Sequence, residues 1–229
     1  MSVQPHKKKE TSEKPGMPEQ EFKTSNEILE HFDLTFEFSK FFDADELSPV
    51  PPDEKFLSQL EFSLMNRGAA DKEAYTCEFL IVPFLREVWQ RHPENLSLFS
   101  HITLKVDEFH LIPDYVISSR SPRGLKILHR PLLLTIEAKD EKFEQGWVQA
   151  LLQLLACQRM NKSDKLPVRA IVTTGDIWQF GKIEERRFTR HPLPISIENP
   201  GRLLGVLDHF FSECERAIET YAKSGFADE

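Results

Sequence analysis

Residues 132–147 read LLLTIEAKDEKFEQGW, an apolar strand that ends in Glu137-Ala138-Lys139. Ionised side chains are almost never fully buried unless they are paired or bind something. Side chains alternate across a strand, so Glu137 and Lys139 point to the same face. The plain reading is an ion pair closing the end of a strand. The other is that the face carries chemistry.

Working outward, three extended runs stand in this region: ITLKVD at 102–107, LIPDYVIS at 111–118 and PLLLTIEA at 131–138. Between the last two lies SRSPRGLKILHR, a basic hairpin tip or an excursion from the sheet. Upstream, Asp71 to Gln90 carries Tyr75, Phe79, Val82, Leu85, Val88 and Trp89 at helical spacing, with Pro83 expected to kink the helix. Downstream, a helix is expected from about Glu141 to Met160, then a strand, VRAIVTT at 168–174. A turn at Gly175-Asp176 leads to a second strand bearing Trp178 and Phe180, which together with Trp147 belong to the core. The chain closes in a helix capped by Asn199 with Pro200 at its first position. Helix, three strands, helix, two strands and helix imply a mixed sheet flanked by helices.

The 229 residues, 40% hydrophobic and 29% charged, suit one domain over 26–229 with a polar extension. Residues 1–25, rich in Lys, Glu, Pro, Ser and Thr, read as a disordered tail. The aromatic-rich, proline-broken segment that follows predicts short irregular elements. Three scattered cysteines, none in a CxxC pair, argue against a disulfide framework or zinc knuckle and for a reduced, cytoplasmic setting. Neither a signal-peptide apolar region nor a run of ~18 apolar residues is present, so no membrane partner is expected. A net charge of −8 disfavours coating nucleic acid by bulk electrostatics, but not a local basic patch.

Three acids stand in apolar settings. Glu78 lies beside the buried stripe of the first long helix, Asp114 follows Pro113 inside a strand, and Glu137 ends the next strand. If those strands are neighbours, Asp114 and Glu137 meet across the ladder. Two carboxylates that close repel one another unless a cation is present, and a hard ion such as Mg²⁺ (or Mn²⁺) suits them. Lys139 would then position or help deprotonate a water, or stabilise developing negative charge.

Pro113-Asp114 followed by Glu137-Ala138-Lys139, the acids 137 − 114 = 23 positions apart, resembles the PD-(D/E)xK phosphodiesterase superfamily of restriction-endonuclease-like enzymes. The resemblance covers roughly residues 71–183. It implies a three-layer α/β/α fold with a central mixed sheet, whose αβββαβ core carries the aspartate on its second strand and the ExK on its third. It also implies that Glu78 joins Asp114 and Glu137 as a metal ligand, with Lys139 catalytic. Relatives place a glutamine on the helix after the motif, and Gln149 and Gln153, four apart on one face, are the candidates. The activity implied is divalent-metal-dependent hydrolysis of nucleic acid, DNA foremost, with RNA also open. Arg120, Arg123, Lys126 and Arg130 of the basic excursion are the expected phosphate contacts. Many relatives act as homodimers, though the sequence displays no interface. The alternative is a nuclease-fold domain that binds nucleic acid or a protein partner without cutting.

Overall fold

The computed structural model describes residues 22–68, 72–139 and 141–224. The expected polar tail therefore lies outside the described residues as far as residue 21. Phe22, the first described residue, sets its ring edge-on to His31.

The chain begins with α1 (Ser25–His31), β1 (Thr35–Phe38) and α2 (Glu54–Met65). It continues with α3 (Lys72–Thr76), a π-helical turn (Cys77–Ile81) and α4 (Val82–Trp89). Five strands follow: β2 (Leu96–Ser100), β3 (Leu104–Val106), β4 (Phe109–Leu111), β5 (Tyr115–Ser119) and β6 (His129–Ala138). Then come α5 (Phe143–Asn161), β7 (Val168–Thr173), β8 (Ile177–Glu184), β9 (Arg187–Arg190), β10 (Ile195–Ser196) and α6 (Pro200–Lys223).

Eight strands form one sheet in the order β1-β9-β8-β7-β6-β5-β2, with β10 paired to β8. β1/β9 and β6/β7 are parallel and the other pairs antiparallel, so the sheet is mixed. Its alternating side chains feed two cores. Leu134, Ile136, Ile171 and Phe180 meet α2, the π turn, α4 and α6 on one face. Val116, Ala170 and Val172 meet α1, α5 and the β3–β4 hairpin on the other. The chain is thus an α/β fold built on a large mixed sheet. Trp147, Trp178 and Phe180 are fully buried, and Asn199 caps α6 by accepting the Arg202 N–H at 3.0 Å.

Three elements differ from expectation. The run at 102–107 is not a strand of the main sheet; residues 104–106 pair only with β4 in a two-stranded hairpin. The strand beside β5 is instead β2, LSLFS, whose serines at 97 and 100 make it read poorly as a strand. LIPDYVIS is broken in the middle, because Pro113 has no N–H to give a ladder, and Asp114 sits in the bend before β5.

The third difference lies at Pro83. A proline ring in an α-helix clashes with the carbonyl four residues earlier. Here the turn before it widens to a π-helix, and the Val82 N–H donates to the Cys77 carbonyl five residues back. The extra residue in that turn shifts the helical phase. Phe79, placed in the core by spacing, is exposed, while Leu80, Ile81 and Phe84 are buried.

Candidate active site

The β5–β6 register pairs Tyr115 with Ile136, so the next position along sets Asp114 against Glu137. The backbone ladder stops there, and a side chain continues it: Asp114 Oδ2 accepts the Ala138 N–H at 2.7 Å. That bond fixes the Asp114 carboxylate beside the end of β6. Alternation then sends Ala138 into the core on the α4 side and Glu137 and Lys139 toward α5.

Glu137 is only 3% exposed. Its Oε1 lies 2.9 Å from the Lys139 ammonium, and its Oε2 accepts the Gln153 amide N–H at 2.8 Å. Burial, then repulsion from Asp114, push the Glu137 carboxyl up to about 7, against the opposing pull of Lys139 and Gln153. Burial disfavours the Lys139 ammonium, but Glu137, Glu73 and Asp114 outweigh it and hold the pKa above the usual lysine value. Lys139 is therefore a fixed cation rather than a base in this arrangement.

Gln153 reaches Glu137. It is fully buried, and its Oε1 has no hydrogen-bond partner. Gln149, one turn earlier on α5, is half-buried. The close approach of α5 depends on Gly146, where a Cβ would stand 2.4 Å from Val172 Cγ1 and 3.1 Å from the Lys139 stem.

Two residues that sequence reasoning missed belong to the site. Glu73 of α3 brings Oε1 to 3.7 Å from the Lys139 ammonium. His101 places Nε2 3.4 Å from Asp114 Oδ1, while its backbone N–H donates to the Asp114 carbonyl at 3.0 Å. His101 does this from a left-handed backbone (φ 51°), a conformation uncommon for a non-glycine residue. A cavity of about 740 Å³ opens onto Asp114, lined by Glu73, Cys77, Glu78, His101 and Tyr115 among others. Cys77 is no nucleophile there, since burial and the nearby Asp114 push its thiol up to about 12.

Glu78 does not complete the expected three-acid cage. It is exposed on the π turn and lines the cavity wall, whereas Glu137 is buried. Among the described residues, no group of three or more His, Cys, Asp or Glu side chains is arranged to hold a metal ion. What the site offers is a pair, Asp114 and Glu137, with Gln153 Oε1 as a buried acceptor lacking a donor. That set fits a hard divalent cation, which takes one or two carboxylates and fills its remaining positions with water and phosphate oxygens.

The structure does not bring the basic excursion to this site. β6 enters from it at His129 and delivers Glu137 eight residues later, about 25 Å along a strand. Arg120 and Arg130 there bond the carbonyls of Pro93 and Met160, and Arg123 and Lys126 are exposed. The excursion thus stands at the opposite end of β6 from Glu137 and Lys139.

Among the described residues, no helix is long and apolar enough to cross a membrane. No protein-family model matches the chain, and no curated protein matches it.

Proposed function

We propose that the protein is a divalent-metal-dependent phosphodiesterase acting on nucleic acid, DNA foremost, with Mg²⁺ or Mn²⁺ as its cofactor. The observation that carries this reading is the convergence of Asp114, Glu137 and Lys139 at the ends of two neighbouring strands. Further support comes from the order helix, β2, β5, β6, α5, β7, with β2, β5 and β6 antiparallel neighbours and β7 parallel to β6. That order matches the αβββαβ core of PD-(D/E)xK enzymes.

In this reading Asp114 and Glu137 hold the cation, and Gln153 fixes the orientation of the Glu137 carboxylate. An ion bound there would supply a polarised water and neutralise charge on a phosphoryl oxygen. Lys139, held protonated by its acidic neighbours, stabilises the negative charge that develops on the phosphate. Glu73 keeps the lysine aimed. Glu78 borders the approach without being a ligand.

Labelled DNA and RNA incubated with the protein and Mg²⁺ or Mn²⁺ test the reading. Cutting is expected with metal, is lost with chelator, and falls about 100-fold or more in Lys139→Ala, the scale of losing one transition-state charge contact. Cutting indifferent to the metal or to the substitution would refute it. A second reading, a domain of this fold that binds nucleic acid or protein without cutting, is favoured by one observation. Both Glu137 oxygens already have partners within the chain. Binding with no cutting in any metal would favour that reading.

A further inference from the structure

The acidic cavity does not end at Glu78. Glu78 and Val82 also line a second cavity of about 510 Å³, between α2 and the π turn with the start of α4. This groove is largely apolar, and two aromatic rings on it face solvent: Phe62 is 69% exposed and Phe79 45%. Tyr75 backs Phe79, with ring centroids 4.7 Å apart, and is itself fixed by its hydroxyl donating to the Ser63 carbonyl at 2.7 Å. Arg86 stands exposed on the groove wall and has no ion-pair partner among the described residues.

Exposing two phenylalanines costs hydrophobic stabilisation; Phe62 stands on the outer face of α2, and at Phe79 a specific backbone irregularity is the cause. The π turn forced by Pro83 rotates Phe79 out of the core and onto the groove. The volume falls within the range of small-ligand sites, about 300–1,000 Å³. Exposed aromatic faces beside an unpaired cation are the elements of single-strand recognition, in which bases stack on rings and phosphates meet the charge.

We infer that this groove holds an unpaired nucleobase next to the phosphate engaged at Asp114 and Lys139, so that the substrate is a single-stranded or frayed segment rather than continuous duplex. This rests on the phosphodiesterase reading for the identity of the neighbouring site. A base inside a duplex is stacked and paired and cannot enter a side groove without leaving the stack. The basic excursion is too distant to hold the same nucleotide, whereas the groove shares Glu78 and Val82 with the cavity that opens onto Asp114.

Binding of a labelled single-stranded 12-mer and of the matching duplex, with Ca²⁺ as the cation, reads the inference directly. Tighter binding of the single strand is expected. Phe79→Ala and Phe62→Ala each should weaken it about tenfold, the scale of losing one base–aromatic stack. Both residues are surface-exposed, so melting curves of the variants should match the parent. A second series uses single strands carrying one abasic position. When the missing base is the one that stacks, Phe79→Ala should weaken binding no further.

Equal binding of duplex and single strand would overturn the inference. So would Phe79→Ala acting equally on every abasic strand, or leaving binding unchanged. An effect of these variants on self-association alone would mark the groove as a protein-docking surface and would also overturn it. Cutting is followed separately through Lys139→Ala. Intact metal-dependent cutting with no effect of Phe79→Ala defeats the groove alone; base-dependent binding without cutting defeats the hydrolase alone.

Discussion

At Glu137 burial, a like charge and a cation act on one carboxyl group. The outcome, a pKa of about 7 against the ordinary 4.5, ties stability to pH. A carboxyl whose folded value is raised contributes stability that is fully present below pH 4.5 and is lost as pH rises through 7. In chelator, the melting temperature of the protein should therefore fall between pH 5 and 8. Glu137→Gln should remove that slope and, at pH 8, be as stable as the parent or more so, since an amide replaces a charge that burial disfavours. Calorimetry across that pH range decides it; a variant with the parent's slope would show that Glu137 is not the titrating group. At this scale the sequence was informative where spacing along one strand sufficed, as for Glu137 and Lys139. It was silent on Glu73 and His101. Glu73 lies on α3 and Glu78 on the π turn that follows it, five positions on, and nothing in α-helical spacing singles out that interval. His101 depends on a left-handed residue following a strand whose apolar alternation is masked by serines.

Among the elements, α5 has the strongest sequence signal and the tightest geometric demand. Its apolar run from Val148 to Cys157 announces burial, and the structure bears this out by enclosing it between the sheet, α1 and the β3–β4 hairpin. What the run does not reveal is how closely the helix lies on β7, because that distance is set by one residue without a side chain. Gly146→Ala should push α5 away from Val172 and the Lys139 stem. The expected cost is about 1–3 kcal/mol, the usual range for overpacking a core, measured as a lower denaturation midpoint. A change below 0.5 kcal/mol would mean the helix can shift without penalty. Composition places the first strand at ITLKVD, whereas the structure places it at LSLFS, for a physical reason. ITLKV has the better strand composition, but a strand's place is decided by the neighbour it can pair with. β5 accepts LSLFS along five consecutive positions.

For the molecule as a whole, cation binding and folding are linked if Asp114 and Glu137 hold an ion. Any ligand that binds only the folded state stabilises it by mass action, about 2.7 kcal/mol at a hundredfold excess over Kd. For a domain of this size that raises the melting temperature by roughly 5–10 °C. Adding Mg²⁺ should produce such a shift at pH 8, and Asp114→Asn should abolish it. No shift in the parent protein would show that the pair does not retain the ion. The α/β class and the sheet flanked by helices were legible because they follow from the order of periodic segments. The outer strands were not, because β1 and β9 are four residues each and their pairing joins distant parts of the chain.

That last pairing bears on how the chain acquires its shape. Thr35 pairs with Arg187, so the partners stand 187 − 35 = 152 positions apart, whereas Glu73 through Gln153 all lie within the intervening stretch. During synthesis the centre of the sheet can assemble while β1, which carries Phe36 and Phe38, still waits for a neighbour not yet made. Long-range closure of this kind is slow and leaves aromatic segments open to wrong contacts. A nascent chain halted before residue 187 should accordingly be the form most prone to clump and most dependent on chaperones.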